Sequence, residues 1–250
     1  MTMSVSGKRA LVTGGGSGIG ATIALALAEA GAAVTICGRR RPQLDETAAR
    51  HKNIDAEVAD VTDQRSIAQI YGRGPFDIVV ANAGGAQSAP AEKISAALWT
   101  DTLNVNLTGA FFSVQPALAG MRAKKWGRIV FIASTAGIRA APYIAPYVAA
   151  KHGVIGLMRT LALETAKDGI TVNAVCPSYT ETPMLEQAVA RIVATTKRSE
   201  AEARAALAAK NPQGRFITPQ EVADTVLWLC TDGSASITGQ AISLSGGETW

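Results

Sequence analysis

A tyrosine and a lysine on one predicted helix face are the residues of this chain best suited to acid–base chemistry. Tyr147 and Lys151 stand four residues apart, and Pro146 fits the first position of a helix. Because this spacing puts both side chains on one helix face, the ammonium should lie near the phenol. A positive charge roughly 4 Å away, at an effective dielectric of about 20, is worth about 4 kcal/mol, or nearly three pKa units. The spacing therefore predicts a lowered phenol pKa and a Tyr147 that serves as acid in reduction and base in oxidation.

Two further segments should lie beside that pair, at the carboxyl edge of a sheet. Ser134 ends the fifth predicted strand, 13 residues before Tyr147. The segment Asn82-Ala83-Gly84 ends the fourth predicted strand, and its small residues would let a cofactor lie against the backbone. Ligands of open α/β sheets bind at this edge. We therefore expect the Ser134 hydroxyl and the 82–84 segment to face the same site.

A glycine-rich loop between the first strand and the first helix predicts dinucleotide binding. Residues 13–20 have the spacing Gly-x-x-x-Gly-x-Gly, one residue longer than the commoner Gly-x-Gly-x-x-Gly. Glycines allow a tight turn and the close approach of the backbone to a pyrophosphate, which the amide end of the helix then faces. The residues expected to contact the cofactor here are Gly14, Ser17, Gly18, Ile19 and Gly20.

The end of the second strand favours NADP(H), with NAD(H) possible. An NAD site normally has a carboxylate there for the ribose hydroxyls, whereas this strand ends in Gly38-Arg39-Arg40-Arg41, with no carboxylate before Asp45. Gly38 leaves room, and Arg39 can form paired hydrogen bonds with a 2′-phosphate. Cations are disfavoured at a helix N-terminus unless an anion is present, which also favours a phosphate ligand.

Alternating apolar runs and helical patterns predict an α/β fold. Short, mostly apolar strands are predicted at 9–12, 33–37, 55–58, 77–81, 128–133, 171–176 and 241–244. Helices are predicted at 20–30, 41–50, 63–71, 95–124, 146–167 and 219–230. The chain is therefore expected to form a single doubly wound Rossmann-type domain over residues 1–250, a seven-stranded parallel sheet with helices on both faces. Residues 182–211 read as two short extra helices, and a substrate lid is expected over about 182–215.

The composition is that of a globular protein: 48% of the 250 residues are hydrophobic and 18% are charged. Uncharged runs at 10–28 and 102–121 hold glycines or polar residues that do not suit a bilayer-spanning helix. No apolar N-terminal segment resembles a secretory signal, and the 5% aromatic content offers no stacking platform for nucleic acid. We therefore expect a cytoplasmic protein without a membrane or nucleic-acid partner.

The cysteines and the basic residues carry little functional signal. Cys37, Cys176 and Cys230 are too scattered for a disulfide framework or a metal site, so buried free thiols and no metal are expected. The formal net charge is +4, with much of the excess between Arg191 and Arg215. That stretch could attract an anionic substrate such as a phosphopantetheine thioester, or form an ordinary solvated helix face.

Taken together, these motifs resemble the short-chain dehydrogenase/reductase family over nearly the whole chain. The resemblance rests on Thr13-Gly14-x-x-x-Gly18-x-Gly20, Asn82-Ala83-Gly84, Asn106, Ser134, Tyr147-x-x-x-Lys151 and Cys176-Pro177. The intervals of 28, 13 and 4 residues from Asn106 to Ser134, Tyr147 and Lys151 match the catalytic tetrad of that family. The family usually has Asn at the position of Ala81 and Gly at the position of Ser178, which lies beside the nicotinamide.

The resemblance implies a role for each residue of the tetrad. Tyr147 is implied as the proton donor or acceptor, and Ser134 as the donor that polarises the substrate oxygen. Lys151 would lower the tyrosine pKa and bind the nicotinamide ribose, and the backbone of Asn106 would hold a water in a proton relay. The hydride transfer needs no metal. The other cofactor contacts that the resemblance implies are Asp60 to adenine, Thr182 to the carboxamide, and Val61, Asn82, Ala83, Gly84, Pro177 and Thr180.

Within the family, residues 141–147 and 169–177 are most similar to ketoreductases of polyketide and fatty-acid synthesis. This similarity implies NADPH-dependent reduction of a 3-oxoacyl thioester or related ketone, in a homotetramer whose interface is formed by helices 95–124 and 146–167. Two alternatives stay open: an NAD-dependent dehydrogenase of a small, cyclic or aromatic secondary alcohol or a 3-hydroxyacyl-CoA, and a non-catalytic dinucleotide sensor. Candidates for the pocket wall are Gln87, Arg139, Tyr143, Tyr179 and Met184.

Overall fold

A seven-stranded parallel sheet runs through the part of the chain, residues 3–249, that the computed structural model describes. The strands lie in the order β3-β2-β1-β4-β5-β6-β7, so the chain switches direction across the sheet between β1 and β4. Their bounds are Arg9–Thr13, Ala33–Gly38, Ile54–Val58, Ile78–Ala81, Gly127–Ile132, Ile170–Pro177 and Ala241–Leu244 for β1 to β7. The seven predicted strands and the doubly wound α/β fold class are confirmed.

Helices cover both faces of the sheet because successive strand residues point to opposite sides. Val12 and Val80 pack on one face with residues of α1 and α10, whereas Leu11 and Val79 pack on the other with residues of α5 and α7. The ten α-helices of the described chain, α1 to α10, are Gly18–Glu29, Arg41–Ala48, Gln64–Tyr71, Ala96–Leu103, Gly109–Val114, Ala117–Lys124, Ala145–Thr165, Pro183–Thr195, Glu200–Ala208 and Pro219–Cys230.

The helical stretch predicted over 95–124 is present, but it is divided at two points. A π-helical turn over Asn104–Thr108 separates α4 from α5. The Asn106 side chain accounts for this widening: its Nδ2 donates at 2.9 Å to the Thr102 carbonyl, the acceptor that the Asn106 amide would use in a regular α-helix. The second break lies at Gln115–Pro116, where Pro116 has no amide proton to donate.

The segment between β6 and β7 forms the two predicted extra helices, α8 and α9. They pack on each other around a small cluster of their own, made by Leu185, Val189, Ala203 and Leu207. Arg191 on α8 reaches the loop after β4 and donates to the Ser88 carbonyl at 3.0 Å. The assignment of residues 182–215 as a substrate lid, like that of residues 1–250 as one domain, stays a prediction.

Two further predictions concern the cysteines and a membrane-spanning helix. Cys37, Cys176 and Cys230 are buried free thiols, as predicted, and burial raises the pKa of Cys37 and of Cys230 to about 12. Among residues 3–249, no helix is both long enough and apolar enough to span a membrane.

Candidate active site

The glycine loop between β1 and α1 has a backbone that only glycine fits at its critical points. Gly14 and Gly18 have φ of +67° and +52°, in the left-handed region. A Cβ on Gly20 would lie 2.3 Å from the Gly14 carbonyl oxygen, so any side chain there would displace the loop. The predicted turn is therefore built as a cradle that lets a ligand reach the backbone.

Thr13 and Asn82 fix this loop to the end of β4. The Asn82 Nδ2 donates to the carbonyls of Thr13 at 2.9 Å and Gly14 at 3.2 Å. The amides of Asn82 and Ala83 both donate to the Thr13 Oγ1, each at 3.1 Å. The Asn82 side chain, expected as a cofactor contact, thus holds the glycine loop. Sequence reasoning did not assign Thr13 this role, although its place at the end of β1 puts it opposite the end of β4.

The amide end of α1 is open to an anion. Its N-cap Ser17 is extended, and no side chain of residues 3–249 caps the helix. The Ser17 hydroxyl accepts instead from Arg40 Nη2 at 3.4 Å. The first-turn amides, which include those of Gly18 and Ile19, therefore fit the pyrophosphate of a dinucleotide.

The three consecutive arginines have different surroundings. Arg41 is paired with Asp45 at 2.9 Å, and Arg40 contacts the glycine loop. Arg39 lines a cavity of about 700 Å³ that also reaches Gly84 and Asn106. A Cβ on Gly38 would meet only Leu44, at 3.7 Å, so a phosphate has room beside Arg39.

Asp60 and Val61, after β3, complete the adenosine side of the expected cofactor site. A hydrogen bond from the Thr62 amide, 2.9 Å from Asp60 Oδ1, holds the pKa of Asp60 below its usual value, with a smaller contribution from Arg39. Val61 is buried and packs against Gly109 on α5, where an added Cβ would lie 2.6 Å from Val61 Cγ2. Asp60 is thus available as an acceptor, and Val61 fixes the loop against α5.

Asn106 and Lys151 meet at the loop after β4. The Asn106 Oδ1 accepts from the Gly85 amide at 3.2 Å, and its Nδ2 donates to the Gly85 carbonyl at 2.9 Å. A Cβ on Gly84 would lie 2.6 Å from Asn106 Oδ1 and 3.7 Å from Lys151 Nζ. Two members of the expected tetrad therefore lie against the same glycine, and the π-helical turn places Asn106 there.

Tyr147 and Lys151 lie on the first two turns of α7, but the expected lowering of the tyrosine pKa is not found. The Lys151 Nζ lies 5.5 Å from the Tyr147 ring centroid and donates to the Ile132 carbonyl at 2.7 Å. Burial raises the pKa of Tyr147 to about 12, and a hydrogen bond with Ser134 opposes this rise. Burial also lowers the pKa of Lys151 to about 8. The prediction failed because it counted the charge of Lys151 but not the loss of water from both groups.

Ser134 is held in place by the short 3₁₀-helix Thr135–Gly137 that follows β5. Its Oγ caps this helix by accepting from the Ala136 amide at 3.1 Å, while its hydroxyl hydrogen remains available for a hydrogen bond. Ser134 lies close enough to Tyr147 to oppose the rise in the tyrosine pKa. All four expected catalytic residues therefore gather at the carboxyl edge of β4 and β5.

The loop after β6 brings Pro177, Thr180 and Thr182 toward the glycine loop. Thr180 Oγ1 donates to the Ser178 carbonyl at 3.0 Å, and Thr182 Oγ1 donates to the Thr180 carbonyl at 3.1 Å. Thr182 also caps α8, and a Cβ on Gly18 would lie 3.3 Å from its Cγ2. The start of α8 thus lies beside the glycine loop, where the carboxamide contact of Thr182 is expected.

The five candidates for the pocket wall have different environments. Gln87 lines the 700 Å³ cavity, and Tyr143 is 65% exposed with a left-handed φ of +67°. Tyr179 instead packs against the α8–α9 cluster, and Met184 is exposed at the start of α8. Arg139 is paired with Glu248, a residue that sequence reasoning missed because it lies far along the chain from every motif.

Comparisons with known proteins agree with this geometry. Residues 8–193 match the family model described as short chain dehydrogenase. A ketoacyl reductase attributed to the granaticin polyketide synthase of Streptomyces violaceoruber is 40% identical over 249 residues, which cover 95% of this chain and 92% of that protein. The D-beta-hydroxybutyrate dehydrogenase of Rhizobium meliloti is 37% identical over 254 residues, which cover 97% and 98%. The crystal structure of an actinorhodin polyketide ketoreductase variant with NADPH superposes with a TM-score of 0.92 at 38% identity, over 96% of this chain and 97% of that one.

Proposed function

The chain belongs to the short-chain dehydrogenase/reductase family, and on that premise we propose that it is an NADPH-dependent reductase of a 3-oxoacyl thioester or related ketone. It is an oxidoreductase that transfers a hydride between a nicotinamide and a carbonyl or secondary-alcohol carbon. The observation that carries the proposal is the group at the carboxyl edge of the sheet: Ser134 near Tyr147, with the Lys151 Nζ 5.5 Å from the Tyr147 ring centroid.

The residues at this edge of the sheet can supply a proton and a stabilising hydrogen bond to the carbonyl oxygen of a substrate. A bound NADPH would supply the hydride to the carbonyl carbon. Tyr147, which is protonated at neutral pH because its pKa is about 12, donates its proton to the carbonyl oxygen. Ser134 donates a hydrogen bond to the same oxygen and stabilises the charge that develops on it. Lys151, with a pKa of about 8, would return a proton to the phenol through the water relay at Asn106 that the family resemblance implies.

Arg39 supports the choice of NADPH over NADH. It lines the cavity next to Gly38, where a carboxylate would stand in an NAD site, and the similar actinorhodin ketoreductase is described with NADPH. We expect Arg39→Ala to lower kcat/KM for NADPH by about 10- to 100-fold, the worth of a charged hydrogen bond, and to leave kcat/KM for NADH nearly unchanged. The matched control is Arg41→Ala, since Arg41 is engaged by Asp45. An unchanged NADPH preference in Arg39→Ala would exclude this role.

A substrate panel tests the proposed reaction directly. Acetoacetyl thioesters, cyclic ketones and simple ketones would be reduced with NADPH or NADH, and the oxidation of the cofactor followed by absorbance. We expect the highest kcat/KM for a 3-oxoacyl thioester with NADPH. A higher kcat/KM for a ketone without the thioester would contradict the proposed substrate class.

A second candidate function is the NAD-dependent oxidation of a 3-hydroxy acid, a 3-hydroxyacyl-CoA or another secondary alcohol. The similarity to D-beta-hydroxybutyrate dehydrogenase favours it, since the same tetrad would serve oxidation with Tyr147 as base. The same panel run with alcohols and NAD⁺ separates the two. Faster oxidation with NAD⁺ than reduction with NADPH would favour this second candidate.

We further propose that the protein is a cytoplasmic homotetramer. The three buried free thiols suit a reducing compartment. The predicted interface helices carry exposed apolar side chains, Trp99 on α4 with 42% exposure and Leu163 on α7 with 84%. The two helices pack against each other, and their exposed apolar side chains support this surface as the contact with other copies of the chain.

A further inference from the structure

Glu248, in the turn after β7, lies between two loops of the active site. Its side chain is only 5% exposed. One carboxylate oxygen, Oε1, accepts from Arg139 Nη2, and the other, Oε2, accepts from the Ser178 hydroxyl. Hydrogen bonds to a carboxylate are stronger than neutral ones, and the burial of Glu248 shields its bond to Ser178, whereas the Arg139 side chain is 49% exposed. The carboxylate therefore joins the two loops.

The turn that presents Glu248 is itself fixed. The Glu248 amide donates to the Ser245 carbonyl at 3.2 Å, and the Thr249 amide donates to Ser245 Oγ at 3.1 Å. Gly246 has a φ of +61°, and a Cβ there would lie 1.9 Å from Asn211 Oδ1. The backbone on which Glu248 stands thus has little freedom, so the carboxylate can hold its partners rather than follow them.

On one side, Glu248 holds the loop that leads to the nicotinamide contact. The Ser178 amide donates to the Leu244 carbonyl at 2.9 Å, and its own carbonyl accepts from Thr180 Oγ1. Thr180 in turn accepts from Thr182, which lies against Gly18. A shift of Ser178 would therefore pass through Thr180 to Thr182.

On the other side, Glu248 holds the turn that carries Ser134. The Arg139 amide donates to the Thr135 carbonyl at 2.9 Å, in the short helix that Ser134 caps. Arg139 is therefore bound both to this turn and to Glu248. Since its guanidinium is already paired, Arg139 acts in this structure as a strut rather than as a free cation of the pocket wall.

We propose that Glu248 is a positioning residue: it holds the loop of Thr180 and Thr182 at a fixed distance from Ser134. Ser178, at a position where the family usually has glycine, supplies the hydroxyl that this arrangement requires. A glycine there could not form the bond. The effect on turnover rests on the proposed function, whereas the effect on cofactor binding does not.

Cofactor binding gives the first test. Calorimetric titration would compare NADPH with 2′,5′-ADP, which lacks the nicotinamide end, in the wild type, Glu248→Gln and Ser178→Gly. We expect both variants to bind NADPH about tenfold more weakly, the worth of one charged hydrogen bond, and 2′,5′-ADP as well as the wild type does. Equal losses for both ligands, or no loss of NADPH affinity, would overturn the proposal.

Turnover gives the second test, with Asp168→Asn as the matched control. Asp168 ties the end of α6 to the turn before β6, through Arg122 at 3.1 Å and Lys125 at 2.7 Å, and it lies at the opposite edge of the sheet. We expect Glu248→Gln to lower kcat between about tenfold and a hundredfold and to raise the isotope effect of 4-deuterated NADPH, because a misplaced nicotinamide slows hydride transfer. Asp168→Asn should lower Tm and leave both quantities unchanged.

The two tests separate the possible failures. If Glu248→Gln does not fold, Ser178→Gly alone decides, since it keeps the carboxylate and removes only its hydroxyl partner. A kcat and isotope effect equal to those of Asp168→Asn would reduce Glu248 to a purely structural role and overturn the proposal. If the wild type reduces no ketone, the proposed function fails, and the ratio of NADPH to 2′,5′-ADP affinity still tests Glu248.

Discussion

The pKa of Tyr147 is raised and that of Lys151 is lowered by the same cause, the loss of water around both groups, which favours the neutral form of each. A neutral phenol is the form that reduction requires, because it must donate a proton. We therefore expect Tyr147→Phe to lower kcat by roughly 10²–10⁴-fold, the usual worth of a general acid, with NADPH affinity nearly unchanged. Steady-state kinetics and a cofactor titration measure the two quantities.

The control is Tyr71→Phe. This change also removes a phenol hydroxyl, which donates to the Ser113 carbonyl at 2.6 Å and lies outside the candidate active site. Full activity of Tyr147→Phe would exclude its role as acid.

The titration of Lys151 should set the alkaline limit of the reduction. Its pKa of about 8 means that the side chain is cationic below that pH and neutral above it, while Tyr147 stays protonated until about 12. As the pH rises through about 8, the ammonium that resupplies the phenol loses its proton. We therefore expect kcat/KM for reduction to be constant below pH 8 and to fall above it.

A pH profile of kcat/KM measures the groups of the free enzyme. In Lys151→Arg the cation persists well above pH 8, so the decline should move to higher pH even if the rate is lower. A decline at the same pH in both proteins would assign it to another group.

At this scale, the sequence predicts which residue types gather but not all of their partners. The intervals between Asn106, Ser134, Tyr147 and Lys151 suffice to place all four at one sheet edge. The bond from Lys151 to the Ile132 carbonyl could not be predicted, since a backbone acceptor leaves no mark in residue spacing. The same holds for Glu248, whose partners lie 109 and 70 residues away.

Among the elements, the glycine loop and the broken helix after β4 do most to shape the site. The loop was predictable because glycine has few other reasons to recur at those spacings after a strand. The π-helical turn at Asn104–Thr108 was not, because the apolar pattern continues through it and the cause is one side-chain amide that binds a backbone carbonyl. An element boundary set by a side chain is invisible to periodicity.

The close contacts of the glycine loop predict how a side chain at Gly20 would change stability and cofactor binding. A Cβ on Gly20 would lie 2.3 Å from the Gly14 carbonyl oxygen and 2.5 Å from Asn82 Nδ2. These two atoms are hydrogen-bonded to each other and hold the glycine loop against the end of β4. We expect Gly20→Ala to lower the free energy of unfolding by about 1–3 kcal/mol, as overpacking does, and to abolish NADPH binding. Gly156→Ala on α7, where a Cβ meets nothing within 4 Å, should instead raise the free energy of unfolding by about 0.5–1 kcal/mol.

Denaturant unfolding and cofactor titration of the two glycine variants check this pair of outcomes. Stability and binding should fall together in Gly20→Ala, because the same backbone carries both. A Gly20→Ala protein that bound NADPH normally would mean that the loop relaxes more easily than its contacts suggest.

For the whole molecule, strand number, sheet direction and the two covered faces followed from alternating apolar runs and helical patterns, because a parallel sheet requires a crossover between successive strands. The packing of α8 on α9 around Leu185 and Val189 could not be predicted in the same way, because this small cluster lies outside the alternating order of strands and helices. Assembly is a further property that one chain does not display.

The proposed homotetramer can be tested through its exposed apolar residues. Leu163 is 84% exposed on α7, and a charge there would have to be buried if another copy of the chain covers this helix. We expect light scattering to give the wild type four times the mass of one chain, and Leu163→Glu a smaller mass at the same concentration. The control is Val193→Glu on α8, since Val193 is also exposed, at 38%, but lies outside the predicted interface helices.

Two results would contradict this arrangement. A wild type of single-chain mass would exclude the tetramer itself. A tetramer that Leu163→Glu leaves intact would place the interface elsewhere, because a carboxylate buried without a partner costs several kcal/mol and four copies would each bear that cost. Since Tyr147 and Lys151, the proposed catalytic residues, lie on the same helix as Leu163, loss of the tetramer should also lower kcat in Leu163→Glu, and Val193→Glu should retain it.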